Sequence, residues 1–242
     1  MFDINTIPCT EKKRITDTLL KWGIAINQVN GTIDYVDTIA PKLKCKSIHL
    51  IRHAETIAVA KHEFMSDTSS NCVFTEHGKA LAYEQAAELD RYNFDIALYG
   101  PIERVVNTKK LIMETPQKFE CVRLECLHGI DNTGWEYKTY FDLAQDPLFI
   151  AREVELNMFA RTPYGSSWGT VIANCADTLD YINENCADMD VLLISQGSVL
   201  RGMQILLKKR EHPWDDYTAS GMYNIGDNAK STKNYGIIIK VY

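Results

Sequence analysis

A chain of 242 residues is long enough to bury one sizeable core, and a single domain with some extension fits it better than two small domains. With 45% hydrophobic and 24% charged residues it has the composition of an ordinary soluble globular protein, which excludes disordered and fibrous classes. The net charge of -6, with Lys and Arg scattered, carries no electrostatic footprint for nucleic acid, so an anionic substrate needs a local basic pocket.

From Thr10 a helix is expected: Thr10 can cap it, Glu11 suits its first turn, and Ile15, Leu19, Leu20 and Trp22 form an apolar stripe. Asn30-Gly31 and Pro41 mark turns in a loop-rich connection or small hairpin over 24–46. Residues 1–45 therefore read as an N-terminal extension packed on a main domain of 46–242. That domain opens with a strand at 47–52. A helix over 76–91 follows, capped by Thr75 and carrying Ala80, Ala87 and Leu89 among its small and apolar positions. Next come a strand at 95–99, a helix over 102–113, a strand at 119–124 and a long helical or irregular stretch over 140–159. A helix over 170–185 leads into 191–195, a continuous apolar run typical of a strand buried on both faces. A helix over 199–207 and a closing strand at 235–241 complete the chain. Short apolar strands alternating with amphipathic segments define an α/β fold, a three-layer sandwich with a mostly parallel central sheet and helices on both faces.

The seven cysteines, Cys9, Cys45, Cys72, Cys121, Cys126, Cys175 and Cys186, are odd in number and lack CxxC pairs or metal-ligand spacing. Reduced thiols in a cytoplasmic protein are expected, with no metal centre. No basic region followed by an apolar run opens the sequence, and no stretch has the length of a membrane span, so neither export nor a membrane partner is expected.

In open α/β sheets the site lies at the carboxyl ends of strands, which singles out Arg52 and His53, Gly100 and Pro101, and Ser195 and Gln196. Arg52 supplies a planar, permanently charged fork for phosphate oxygens, and His53 can be a nucleophile when its other ring nitrogen is held. The pair reads equally well as an Arg52–Glu55 ion pair beside a satisfied core histidine.

Several pieces of the sequence, in order, decide between these readings. They are Arg52-His53-Ala54-Glu55-Thr56, Phe74-Thr75-Glu76-His77-Gly78, Gly100-Pro101-Ile102-Glu103-Arg104 with Thr108, Gly134-Trp135-Glu136, Pro163-Tyr164-Gly165-Ser166-Ser167, and Leu192 to Gly197. Over about residues 47 to 241 the chain resembles the histidine phosphatase superfamily, which includes the cofactor-dependent phosphoglycerate mutases and many phosphomonoesterases. The resemblance implies that His53 accepts a phosphoryl group, that Arg52 and Arg104 bind its oxygens, and that no metal or cofactor takes part. Convergent cations suit phosphoryl transfer, which depends on positioning and on stabilising charge over the equatorial oxygens. The expected partner is a small phosphorylated or other anionic substrate. Thr56 either adds a hydroxyl to the phosphate or caps the strand exit. Thr75 reads as a helix cap, and Thr108 as packing against its helix.

Where the family ends its late strand in a second histidine, this chain has Gln196, which offers a neutral amide donor of similar reach to the phosphate. His128 is a candidate replacement, with a solvated loop histidine as the alternative. The family's acidic residue before Gly-x-Trp-Glu aligns with Gly129; allowing a one-residue deletion makes Asp131 the candidate acid, with Glu136 and Glu125 behind it and an ordinary turn as its alternative. Ala54, Val59, Gly100 and Ser166 also depart from the pattern, so the pocket is rebuilt on several sides. The reading that follows is phosphoester hydrolysis, ahead of mutase transfer. Its rivals are a degenerate member that binds phosphate without turnover and a different reaction on the same scaffold.

Overall fold

The computed structural model describes residues 7–39, 42–66, 72–113 and 119–207, together with the backbone of 236–240. Helix α1 (Cys9–Lys21) starts before Thr10, which lies inside it; Pro8 stands at the N-cap and no side chain caps the end. Ile15, Leu19 and Trp22 are buried, whereas Leu20 is 45% exposed. The i, i+4 spacing puts Ile15 and Leu19 on one face and turns Leu20 off it. That face packs on α7 (Trp168–Asn185), and Arg14 reaches Asn174 and Asp177 at the rim. The connection after α1 is a hairpin of β1 (Ile24–Ile26) and β2 (Ile33–Tyr35), with Gly31 at positive φ beside its turn. Pro41 lies outside the described residues.

The central sheet contains β3 (Ser47–Arg52), β4 (Ile96–Tyr99), β5 (Glu120–Arg123), β6 (Asp190–Ser195) and β7 (Gly236–Lys240), in the order β5-β4-β6-β3-β7. The first four run parallel; β7 lies antiparallel beside β3, and Tyr235 and Val241, the expected ends of that strand, fall outside the described residues. Alternate side chains of a strand point to opposite faces, so an apolar run serves two cores at once. Ile48, Leu50, Leu98, Val191 and Leu193 join the core that includes α1, α7 and α8 (Gly197–Leu206). Ile51, Ala97, Leu192 and Ile194 face the other way, against α3 (Glu76–Leu89) and α4 (Glu103–Ile112).

Thr75 caps α3, accepting the Gly78 N–H at 2.8 Å, and the buried side of that helix is Gly78, Ala82, Gln85 and Leu89. The stretch 140–159 breaks into α5 (Tyr140–Leu143), α6 (Pro147–Phe149) and a five-residue π-helical turn, Ile150–Val154. Among the described residues no helix is long and apolar enough to cross a membrane.

Candidate active site

The register pairs Arg52 with Ser195, so β3 and β6 end side by side and release Arg52-His53 and Gln196 at one edge. The His53 N–H donates to the Ser195 carbonyl at 2.8 Å, carrying the alignment one residue past the strand. His53 is 6% exposed, with Nδ1 2.8 Å from the Ala54 carbonyl oxygen. A carbonyl only accepts, so Nδ1 bears the hydrogen and Nε2 keeps its lone pair. Burial first, then the charges of Arg52 and Arg104, hold the imidazole pKa well below its ordinary value, against a weaker opposing effect of the Ala54 bond.

Arg104 arrives in the first turn of α4, directly after the exit from β4. There the Gly100 N–H donates to the Ile194 carbonyl at 3.2 Å, and the Leu127 carbonyl comes so close that any Cβ at Gly100 would strike it. The Arg104 side chain is buried, with Nη1 donating to the Ser66 carbonyl at 3.4 Å. Thr108, one turn on, receives the Ala54 N–H at 2.8 Å and donates to the Arg104 carbonyl at 2.7 Å. One hydroxyl thus ties the loop after His53 to the helix that carries Arg104.

These pieces meet at a cavity of about 150 Å³. Arg52, His53, Arg104 and Gln196 all line it, together with Val59. Thr56 is not in its wall. Its fully buried hydroxyl caps α2 (Ile57–Ala60) by accepting the Val59 N–H at 3.3 Å, and donates to Met65 Sδ at 3.4 Å. The phosphate-ligand expectation for Thr56 therefore gives way to the capping one. Thr56→Ala should cost about 1 kcal/mol in urea unfolding and leave KM for a phosphoester unchanged; a raised KM would return the hydroxyl to the phosphate.

Asp131 is also absent from the lining. Its Oδ1 accepts from the Thr133 N–H at 3.0 Å and from Thr133 Oγ1 at 2.8 Å, an Asx turn that engages the carboxylate locally. Glu136 accepts the Gly134 N–H at 2.6 Å, Glu125 pairs with Arg123 at 2.7 Å on the surface, and His128 is not among the lining residues. Among the described residues, the carboxylates that do line the cavity are Glu63 and Glu153.

Two further arginines line it, Arg152 and Arg201. Arg201 follows Ser198 by three residues on α8, so helical spacing brings both to the same wall, a signal the sequence carried once α8 was placed. Arg152 sits in the π-helical turn with no such signal. It is fully buried: Nε donates to Glu153 Oε1 at 2.7 Å, Nη2 to Asn132 Oδ1 at 2.7 Å and Nη1 to the Ser166 carbonyl at 3.4 Å. The guanidinium lies 4.4 Å from the Trp135 ring centroid, and Trp168 Nε1 donates to Glu153 Oε2 at 3.4 Å. Short π-helical insertions of this kind are frequent at functional sites.

The fold and cavity define an α/β protein whose parallel strands deliver a neutral, buried histidine and several arginines to the wall of one cavity. The chain belongs to the histidine phosphatase superfamily (branch 1), whose sequence model matches residues 48–226. Among solved structures it is similar to Bacillus stearothermophilus YhfR, at 19% identity and TM-score 0.60 over 70% of this chain and 84% of that one. A mutant phosphoserine phosphatase from Entamoeba histolytica in complex with phosphoserine matches at 21% identity and TM-score 0.59, over 69% of this chain and 81% of that one. A putative alpha-ribazole-5'-P phosphatase from Escherichia coli matches at 19% identity and TM-score 0.58, over 66% and 78%. At these identities the likeness is one of fold. No curated protein matches the chain.

Proposed function

We propose that the protein is a phosphomonoester hydrolase of the cytoplasm that acts on a small phosphorylated substrate through a phosphohistidine at His53. The observation that carries this reading is the state of His53: buried, neutral, with Nδ1 engaged by Ala54 and the ring in the same cavity wall as Arg52 and Arg104. In this mechanism Nε2 attacks phosphorus, the ester P–O bond breaks, and the leaving oxygen takes a proton. Water then cleaves the N–P bond and returns His53 to its starting state. Arg52 and Arg104 hold the equatorial oxygens as charge shifts over them. The phosphatases that share the fold, one bound to phosphoserine, raise the prior for this chemistry by analogy.

The proton for the leaving group is assigned to Glu63. Of the two carboxylates in the wall, Glu153 is engaged by Arg152 and Trp168, while Asp131 is turned into its own loop. A second reading, phosphate binding without turnover, is favoured by two features, an amide at Gln196 and a bare Cα at Gly129.

The test is turnover of p-nitrophenyl phosphate and a panel of alkyl phosphates, with acid-labile phosphate trapped on the protein. Turnover with trapped phosphate supports hydrolysis, and phosphate binding with no turnover across the panel establishes the second reading. In the same assay Glu63→Gln should slow alkyl phosphates by roughly 10²–10⁴-fold, the usual contribution of a general acid, and Asp131→Asn should stay near wild type. The reverse pattern would reinstate Asp131.

A further inference from the structure

Gln196 ends β6 and stands at the N-cap of α8, yet its side chain makes no capping bond to the helix. It is 4% exposed, lines the cavity, and neither Oε1 nor Nε2 has a hydrogen-bond partner among the described residues. Buried amides are ordinarily satisfied, and an unsatisfied one beside a cavity calls for a partner that the described residues do not supply. The oxygen of this amide occupies a definite place. It lies where a side chain at residue 129 would begin, so that a Cβ at Gly129 would overlap Gln196 Oε1 and stand 2.8 Å from Ser198 Oγ. The same Ser198 hydroxyl accepts the Ile130 N–H at 2.9 Å, which fastens the loop carrying Gly129 to the first turn of α8.

We propose that Gly129 and Gln196 form one anion-reading unit, in which the bare Cα of Gly129 seats the Gln196 amide oxygen and thereby turns the amide N–H donors toward the ligand. Gln196 is the binding residue and Gly129 a positioning residue that acts through it. The ligand class is an oxyanion that presents acceptor oxygens, and the proposal rests on the cavity being a phosphoryl site. A neutral amide keeps its two donors at every pH, so the protein side of this contact does not titrate. Any side chain at 129 displaces the amide.

Inorganic phosphate, titrated calorimetrically into the full-length protein, is the probe. Gly129→Ala and Gln196→Ala should each weaken phosphate binding roughly tenfold or more, as expected for loss of a hydrogen bond to a charged group. The double variant should bind no more weakly than either single one, because both changes remove the same contact. Gln196→Glu, which puts an acceptor-only carboxylate in place of the donor, should bind more weakly still than Gln196→Ala. Wild-type affinity in Gly129→Ala overturns the inference, as does a Gly129→Ala effect that persists in the Gln196→Ala background. If Gly129→Ala does not fold, the comparison of Gln196→Glu with Gln196→Ala decides, and Gln196→Glu binding as well as wild type overturns the inference. Wild-type protein that binds no phosphate overturns the phosphoryl reading itself, and this inference with it.

Discussion

The His53→Ala variant is expected to lose phosphoester turnover by a factor on the order of 10⁶, the scale seen when a covalent nucleophile is removed, and to trap no acid-labile phosphate. It should still bind inorganic phosphate, because Arg52, Arg104 and Gln196 remain in the cavity wall. Turnover persisting in this variant would end the phosphohistidine mechanism. The same residue sets a pH dependence. Its folded pKa lies well below the ordinary 6.5 through burial and the neighbouring arginines, so between the two values the unfolded chain binds a proton that the native state refuses. Stability therefore rises with pH across that window. The contribution is complete above about pH 6.5, is lost progressively as pH falls below that value, and levels off only below the depressed folded pKa. Urea unfolding between pH 5 and pH 8 should show this slope in the wild type and a shallower one in His53→Ala. Equal slopes would mean that the imidazole is not held neutral. In the proposed mechanism the His53 imidazole likewise stays unprotonated through the range in which an exposed imidazole takes its proton, so loss of activity just below neutrality is expected to come from another group.

Arg152→Met should be the most destabilising of the changes considered, by about 3–5 kcal/mol, the range for breaking a buried ion pair and leaving its partner charged. The pair has 0% and 5% side-chain exposure, so solvent cannot take over the charge of Glu153. More than the pair is lost. The guanidinium also holds Asn132 and the Ser166 carbonyl and covers the face of Trp135, so it ties its own turn to the loop of Asn132 and Trp135 and to Ser166. Denaturant midpoints at constant m-value measure the effect. Adding Glu153→Gln should recover part of the loss, because the stranded carboxylate is removed as well. A loss below about 1 kcal/mol would place the pair among those that contribute little.

The residues differ sharply in how readable they were. Strands β3 and β6 stand out because burial on both faces demands an unbroken apolar run, as in Val191 to Ile194, and Arg52-His53 and Gln196 then follow from where those runs stop. Thr75 and Thr56 show the limit of local pattern. Both are threonines before a helix, and both are caps, but only the folded structure shows that the Thr56 hydroxyl is engaged by the Val59 N–H and Met65 and that Thr56 does not line the cavity. Asp131 is a candidate acid only with a one-residue deletion in the loop, with an ordinary turn as its alternative, and it accepts from Thr133 in an Asx turn, which needs only two residues of sequence to form. Leu20 belonged to the apolar stripe by residue type and faces outward by helical angle.

By itself, then, the sequence determined the alternation of strands and helices, the two-sided burial of the central strands, and the residues that stand where those strands end. These depend on neighbours within a few positions along the chain, where periodicity is written directly. Tertiary structure alone decided that Arg152, Glu63 and Glu153 share the cavity with Arg52 and His53, that Thr56 and Asp131 do not, and that Gly129 leaves room for Gln196. Those outcomes rest on which loops a folded sheet edge brings within van der Waals contact, a matter of packing between distant segments that no local pattern encodes.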